Sequence, residues 1–260
     1  MVSFCPLFSG SQGNSILISG SGATILVDAG VSAKRISAAV SSFGYDIKKI
    51  DALLLTHEHT DHVSGVRVIN KYHSIATYAT KGTLGGAFLE GDDFFAVWPL
   101  DDFFIGDVRV TPFPVAHDAC EPVGYRFYFP KEDKVVAVVT DLGELTKEVY
   151  DMAIGSDLLY IESNHDVEML KSGPYPAFLK RRILSGSGHL SNDDGAKIAA
   201  DAAERGTKTI VLAHLSRNNN TPRMADSCAR SSLILKNVDP DRDIELAVAM
   251  PESDGKKFFV

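Results

Sequence analysis

Leu53-Leu54-Leu55-Thr56-His57-Glu58-His59-Thr60-Asp61-His62 decides how the rest of this chain is read. Three histidines and two carboxylates follow directly on an apolar run. The leucines read as the end of a buried strand. The histidine segment reads as the loop at its carboxyl end, turning into a helix. In open α/β architectures ligands sit just beyond that end of a strand. His57 and His59 are two apart, so extended backbone projects them to the same side. Asp61 and His62, at the start of the next helix, can point back at the same place. Such a set suits two adjacent metal ions better than one. A lone histidine at a strand end is ordinarily a satisfied polar residue. Several ligands this close compete for the same partners, which makes chance clustering the weaker reading.

Working outward, 260 residues with 45% hydrophobic content supply ample core for one domain spanning 1–260. No apolar run approaches the length of a membrane span. The opening Met1-Val2-Ser3-Phe4-Cys5-Pro6 lacks the pattern of a secretory signal. Cys5, Cys120 and Cys228 are widely spaced and form neither a zinc-finger nor a disulfide pattern. The expectation is a reduced, cytoplasmic protein with no membrane partner. A net charge of −8 argues against broad, non-specific coating of nucleic acid, though not against a local basic patch.

Other strand ends repeat the theme. Residues 16–19 and 23–27 read as a hairpin across Gly20-Ser21-Gly22, and its second strand ends in Asp28-Ala29-Gly30. Asp28 there reads as a partner orienting a histidine ligand or as a simple turn residue. Ser9-Gly10-Ser11-Gln12-Gly13-Asn14-Ser15 reads as an anion-cradling loop or as a plain Gly/Ser turn. Helices are expected over 31–43, 61–72, 80–88, 144–154, 176–184, 192–205 and 223–235. Strands are expected over 50–55, 75–79, 94–98, 103–105, 108–115, 123–129, 134–140, 157–161, 209–212 and 244–249. His117, Asp141, Glu162 and His214 each fall at the end of one of these strands or just beyond it. Alternating strands and helices in each half predict an α/β, four-layer αββα sandwich, with strand-end loops along one edge.

Asp28, His57-Glu-His59-Thr-Asp61-His62, His117, Asp141 and His214 resemble, in order, the five motifs of the metallo-β-lactamase superfamily. Gly188-His189-Leu190-Ser191 and Ile210-Val-Leu-Ala-His214-Leu-Ser216 resemble the end of ribonuclease Z. Together with Ser9–Ser15 and Ile161-Glu-Ser-Asn-His165-Asp, the set resembles the WalJ/YycJ-type bacterial exonucleases. The departures are informative. No Gly/Pro-rich insertion corresponds to the tRNA-binding arm of ribonuclease Z. Asp141 and His214 are too close in sequence for the inserted domain of the β-CASP nucleases. Asp141 also stands where common zinc β-lactamases carry Cys in the fourth-motif ligand region, so β-lactam hydrolysis is a weak reading.

The resemblance implies a single-domain, metal-dependent phosphodiesterase, a 5′-to-3′ DNA exonuclease linked to mismatch repair. It implies that His57, His59 and His117 hold one metal, that Asp61, His62 and His214 hold the other, and that Asp141 bridges. Two divalent ions, Zn, Mn or Fe, suit these donors. A hydroxide shared by the pair would attack phosphorus, with Asp61 orienting it. His189 is implied as the proton donor to the leaving group, oriented by Glu162 or His165. Its competing role is a loop histidine at the cap of the helix that follows. Candidate substrate contacts are Ser9, Ser11, Asn14, Ser15, His165, Lys180, Arg181, Arg217 and Asn218, on DNA in preference to RNA. A charge run such as 180–182 is also commonly a solvated helix face. The competing functions are a small-molecule hydrolase of the same fold, cleaving a cyclic phosphodiester, thioester or lactone, and a non-catalytic metal-binding protein.

Overall fold

The computed structural model describes Met1–Val260. The chain begins with β1 (Ser3–Phe8), β2 (Ser15–Ser19), β3 (Thr24–Val27), α1 (Ala33–Ser42), β4 (Ala52–Leu54), α2 (Thr60–Val63), α3 (Val66–His73), β5 (Thr77–Thr80), α4 (Lys81–Gly86) and β6 (Phe94–Val97). It continues with β7 (Phe103–Ile105), β8 (Val108–Pro114), β9 (Val123–Phe129), β10 (Lys134–Val139), α5 (Lys147–Ala153), β11 (Leu158–Glu162), α6 (Val167–Ser172) and α7 (Ala177–Ile183). It closes with α8 (Asn192–Glu204), β12 (Thr209–Ala213), α9 (Pro222–Leu235), β13 (Glu245–Val248) and β14 (Phe258–Phe259). The strands make two mixed sheets of seven. Contacts group the chain into two units. The first holds Met1–Pro114, Ala119–Lys134 and Met250–Val260, and the second Val115–Asp118 and Val135–Ala249.

In the first unit one sheet runs β14-β1-β2-β3-β4-β5-β6. It is antiparallel from β14 to β3 and parallel from β3 to β6. The parallel run matters for function, because it brings the carboxyl ends of β3 and β4 to the same edge. Asp28 follows the first and His57 the second. Strands buried on both faces read as continuous apolar runs, and β1 and β4 are buried throughout. One face carries Leu7, Leu17, Leu26, Leu53 and Leu55 against Ile36 and Val40 of α1 and Val66 and Ile69 of α3. Antiparallel β7-β8-β9 completes the unit. Here the phenolic hydroxyl of fully buried Tyr125 donates to the Leu55 carbonyl at 2.7 Å. That bond ties β9 to the strand end that delivers His57.

In the second unit β10, β11, β12 and β13 pair in parallel. Their carboxyl ends place Asp141, Glu162 and His214 along one edge. Helix α8 begins at Ser191, whose hydroxyl accepts from the Asp194 amide as an N-cap. The helix buries Ile198, Ala199 and Ala202. Large side chains here would hold the helix away from the strands, which accounts for its alanine content.

Three differences from the sequence expectation have local causes. The helix expected over 61–72 is broken into α2 and α3 at Ser64 and Gly65. A Cβ on Gly65 would lie 2.3 Å from the Val31 carbonyl oxygen, so close approach of backbone, not helix propensity, decides that position. Helix α6 is absent from the sequence reading because it is short and runs straight into Gly173-Pro174. Asp166 nonetheless caps it, accepting from the Met169 amide at 2.7 Å. The terminal pair Phe258–Phe259 adds an edge strand beside β1, too short to carry a periodic signal. No helix is long and apolar enough to cross a membrane.

Candidate metal centre

In the first unit the Asp28 carboxylate organises the histidine loop. Its Oδ1 accepts from the Thr56 amide at 2.8 Å. Its Oδ2 accepts from the Thr56 hydroxyl at 2.9 Å and meets Nδ1 of His62 at 2.8 Å. With Nδ1 held by a carboxylate, Nε2 becomes the metal-binding nitrogen of His62. Around it, the rings of His57 and His62 lie with centroids 4.0 Å apart, and Nε2 of His57 is 3.0 Å from Nδ1 of His59. Asp61 Oδ2 stands 3.7 Å from Nε2 of His62. His57 and His62 are buried, while Asp61 is 26% exposed.

The Ser9–Ser15 loop braces this assembly. The Asn14 amide donates to the Asp61 carbonyl, and its side-chain nitrogen sits 2.9 Å from Nε2 of His62. Gly30 donates to the Asn14 carbonyl, and a Cβ on Gly30 would fall 1.7 Å from the Asp61 carbonyl oxygen. Only glycine lets these backbones approach so closely. Ser9 and Ser15 are buried and Ser11 is exposed. The Gly10, Gly13 and Asn14 amides all donate within the protein, to Asn14 Oδ1, the Gly10 carbonyl and the Asp61 carbonyl. Glu58, between two of the histidines, accepts from the Cys120 amide at 2.8 Å.

In the second unit the buried Glu162 carboxylate plays the organising part. Its Oε2 accepts from the amides of Leu142 and Leu190 at 3.0 and 3.1 Å. Its Oε1 lies 2.8 Å from Nδ1 of His189 and 3.0 Å from Nδ1 of His214. Asp141 Oδ1 is 2.9 Å from the same nitrogen of His214, and the Thr140 hydroxyl donates to Asp141 Oδ2 at 2.7 Å. Donor atoms of Asp141, Glu162, His189 and His214 all lie within 4.8 Å of one another. His117 donates from Nδ1 to the Gly188 carbonyl at 2.9 Å, which again leaves Nε2 as the ligand atom.

The electrostatics follow from burial and these partners. Burial opposes ionisation of Glu162, but the charge and hydrogen bond of His189, with the bond from His214, outweigh it and hold the carboxyl below its ordinary range. Burial likewise opposes protonation of His189 and His214, and the neighbouring Glu162 and Asp141 overcome it, raising both. His117 goes the other way. Burial dominates and lowers its pKa, keeping the ring in the neutral form a metal requires.

Asp28, Asp141 and His214 share a feature the sequence does not display. Their φ values are 59°, 56° and 54°, in the left-handed region. Each such residue costs of order 1–3 kcal/mol and persists where the surroundings impose it. All three stand within two residues of the end of a strand with a parallel neighbour. Each unit thus gathers imidazoles and carboxylates at a strand-end edge and fixes the ring orientation of a histidine from behind. Imidazole and carboxylate donors together fit divalent Zn, Mn or Fe.

The remaining candidates are placed as follows. His165 is buried, and its carbonyl accepts from the Asn192 amide. Lys180 donates from Nζ to the Lys171 carbonyl at the end of α6, at 2.6 Å. Arg182 is engaged with both oxygens of Asp118. Arg181 and Arg217 are exposed. Asn218 donates to the Tyr175 hydroxyl at 3.0 Å. Its neighbours Asn219 and Asn220 are buried. Asn220 donates to the carbonyls of Ser163 and Asn164 and to Asn192 Oδ1. Asn164 in turn donates to the His214 carbonyl at 2.9 Å. The hydroxyls of Thr56 and Thr140, each donating to a carboxylate of the site, have no counterpart in the sequence reading. Their signal is a Thr placed directly before a candidate ligand.

A family model described as metallo-beta-lactamase superfamily matches residues 9–172. The chain is 37% identical over 229 residues to the exodeoxyribonuclease YycJ of Bacillus anthracis, covering 85% of each. It is 39% identical over 228 residues to the exodeoxyribonuclease WalJ of Streptococcus pneumoniae serotype 2, covering 84% of this chain and 83% of that one. Among solved structures, the metallo-beta-lactamase fold protein YhfI of Bacillus subtilis matches with a TM-score of 0.72 at 15% identity, covering 99% of this chain and 98% of the other. That likeness shows the fold, the α/β sandwich expected from the strand and helix order.

Proposed function

The chain belongs to the metallo-beta-lactamase superfamily and is a metal-dependent hydrolase, and from that premise we propose that it is a 5′-to-3′ DNA exonuclease. The observation that carries the reading is the likeness to two exodeoxyribonucleases along more than four-fifths of the chain. We read 1–260 as one functional domain, because the family's ligand series draws on both units. By that series His57, His59 and His117 would hold one ion and Asp61, His62 and His214 the other, with Asp141 a further ligand. Two divalent ions bound there would supply an activated water and neutralise charge developing on the phosphoryl oxygens.

The chain's own residues do the rest. Asp61, the more exposed of the carboxylates, accepts a hydrogen bond from the attacking water and orients it. Asp28 holds the His62 ring. His189 carries the proton for the leaving sugar oxygen on Nε2, with Nδ1 anchored on Glu162. Proton delivery turns the imidazolium into neutral imidazole, while the buried Glu162 stays ionised throughout. An alkoxide is a poor leaving group, and a positioned general acid is what its departure needs.

The test is an assay of manganese- or zinc-loaded protein on end-labelled single- and double-stranded DNA and RNA, with and without a 5′-phosphate, beside His59→Ala. Stepwise shortening of DNA from the 5′ end, absent in the variant, is expected. Turnover of bis-p-nitrophenyl phosphate or a thioester, with no strand cleaved, would replace this reading with a small-molecule hydrolase.

A further inference from the structure

Helix α7 is built onto the second unit's site. The His189 amide donates to the Ile183 carbonyl at its end at 3.0 Å. A Cβ on Gly188 would lie 2.2 Å from that same oxygen, and the Gly188 carbonyl in turn holds His117. The outer surface of the helix is unusual for a chain of net charge −8. Phe178 is 67% exposed. Arg181 is three residues on and also exposed, a spacing that puts the two on one helix face. Just before the helix, Pro174 and Pro176 flank Tyr175 and limit its backbone. Its hydroxyl is bonded to Asn218, four residues after His214 in a loop that also exposes Arg217. Two aromatic rings and two guanidiniums therefore stand on the elements that deliver His189 and His214. Asp118 pairs with Arg182, and Glu168 with Lys171.

A large exposed aromatic ring on an element tied to a site is a candidate contact for a ligand. Carboxylates or metabolites would call for the arginines alone. Duplex DNA offers phosphates but keeps its bases stacked on one another. An unpaired strand offers both phosphates and free base faces, and aromatic rings interleaved with cations match it.

We propose that Tyr175, Phe178, Arg181 and Arg217 form a subsite for single-stranded DNA, with Phe178 and Tyr175 stacking on unpaired bases and the arginines holding the backbone. The subsite rests on the nuclease reading above and makes it specific. The strand enters the site unpaired, and a duplex end must fray before it is cut.

The experiment measures binding of a fluorescein-labelled single-stranded oligonucleotide and of its blunt duplex to the full chain in EDTA, followed by cleavage of both once metal is added. Phe178→Ala is expected to weaken single-strand binding about tenfold, within the range of one lost stacking contact. Duplex binding should be nearly unchanged, and Phe178→Trp should restore the affinity. Arg181→Ala and Arg217→Ala should each flatten the salt dependence by about 0.7 in the log–log slope. Bis-p-nitrophenyl phosphate turnover should not change in Phe178→Ala. DNA cleavage with unaltered single-strand affinity in Phe178→Ala would overturn the subsite and leave the nuclease reading standing. Tighter binding of duplex than of single strand by the unaltered chain would do the same. Cleavage of no nucleic acid at all would remove both.

Discussion

Nδ1 of His189 lies 2.8 Å from Oε1 of Glu162, a carboxylate with no exposure to solvent. The same oxygen holds Nδ1 of His214 at 3.0 Å, so one buried charge orients two histidines proposed for different tasks. The tasks separate by choice of substrate. In His189→Ala we expect DNA cleavage to fall by about 10²–10⁴, the usual contribution of a general acid. Bis-p-nitrophenyl phosphate should be hydrolysed almost as before, because nitrophenolate departs without a proton. Glu162→Gln should depress both reactions, since it also loosens His214. Steady-state rates on the two substrates decide the matter, and an equal loss in His189→Ala would assign that residue to the metal site instead.

Asp28 acts through His62. Its backbone is left-handed, a conformation that asparagine accepts more readily than most residues. Asp28→Asn should therefore fold, keep an acceptor for the Thr56 amide, and lose the negative charge behind His62 Nδ1. Metal affinity should drop about 10–100-fold, as for other partners behind a ligand. Competition against a chelator measures it, with circular dichroism as the control for folding. Unchanged affinity in a folded variant would mean that Asp28 is only a turn residue.

These residues also mark what a sequence can and cannot reveal. The run through His62 was legible as a candidate site because so many histidines and carboxylates on one loop meet few demands other than metal binding. The two-sheet α/β architecture was legible because apolar runs alternate with amphipathic segments. The left-handed backbone at Asp28, Asp141 and His214 was not, since no glycine marks it and the conformation is imposed by tertiary contacts. The break at Gly65 escaped for a related reason. It depends on the Val31 carbonyl, more than thirty residues away in the chain. What a charge run does depends on partners that the sequence does not show. Of Lys180, Arg181 and Arg182, the first caps a helix end, the third pairs with Asp118, and only Arg181 stands clear. Phe178, beside them, carries no polar signal at all.

A last expectation concerns stability, away from the site. Asp201 on α8 receives Lys236 Nζ at 2.8 Å and the Tyr150 hydroxyl at 2.9 Å, and so joins α5, α8 and the end of α9. Burial alone would raise its pKa, but the bonds from Lys236 and Tyr150 outweigh that and hold the carboxyl below its usual range. A carboxyl depressed in the folded state contributes stability above its unfolded pKa of about 3.9. That contribution is lost as pH falls through the folded value. The Lys236 side chain is 38% exposed, so solvent screens much of the pair. Asp201→Asn should accordingly cost only about 1 kcal/mol at pH 7. Urea unfolding at pH 7 and again well below the carboxylate range provides the measurement. The gap between variant and parent should close at the lower pH, where the parent's carboxyl is protonated too. A gap that persists there would show that packing around Asp201, not its charge, joins the three helices.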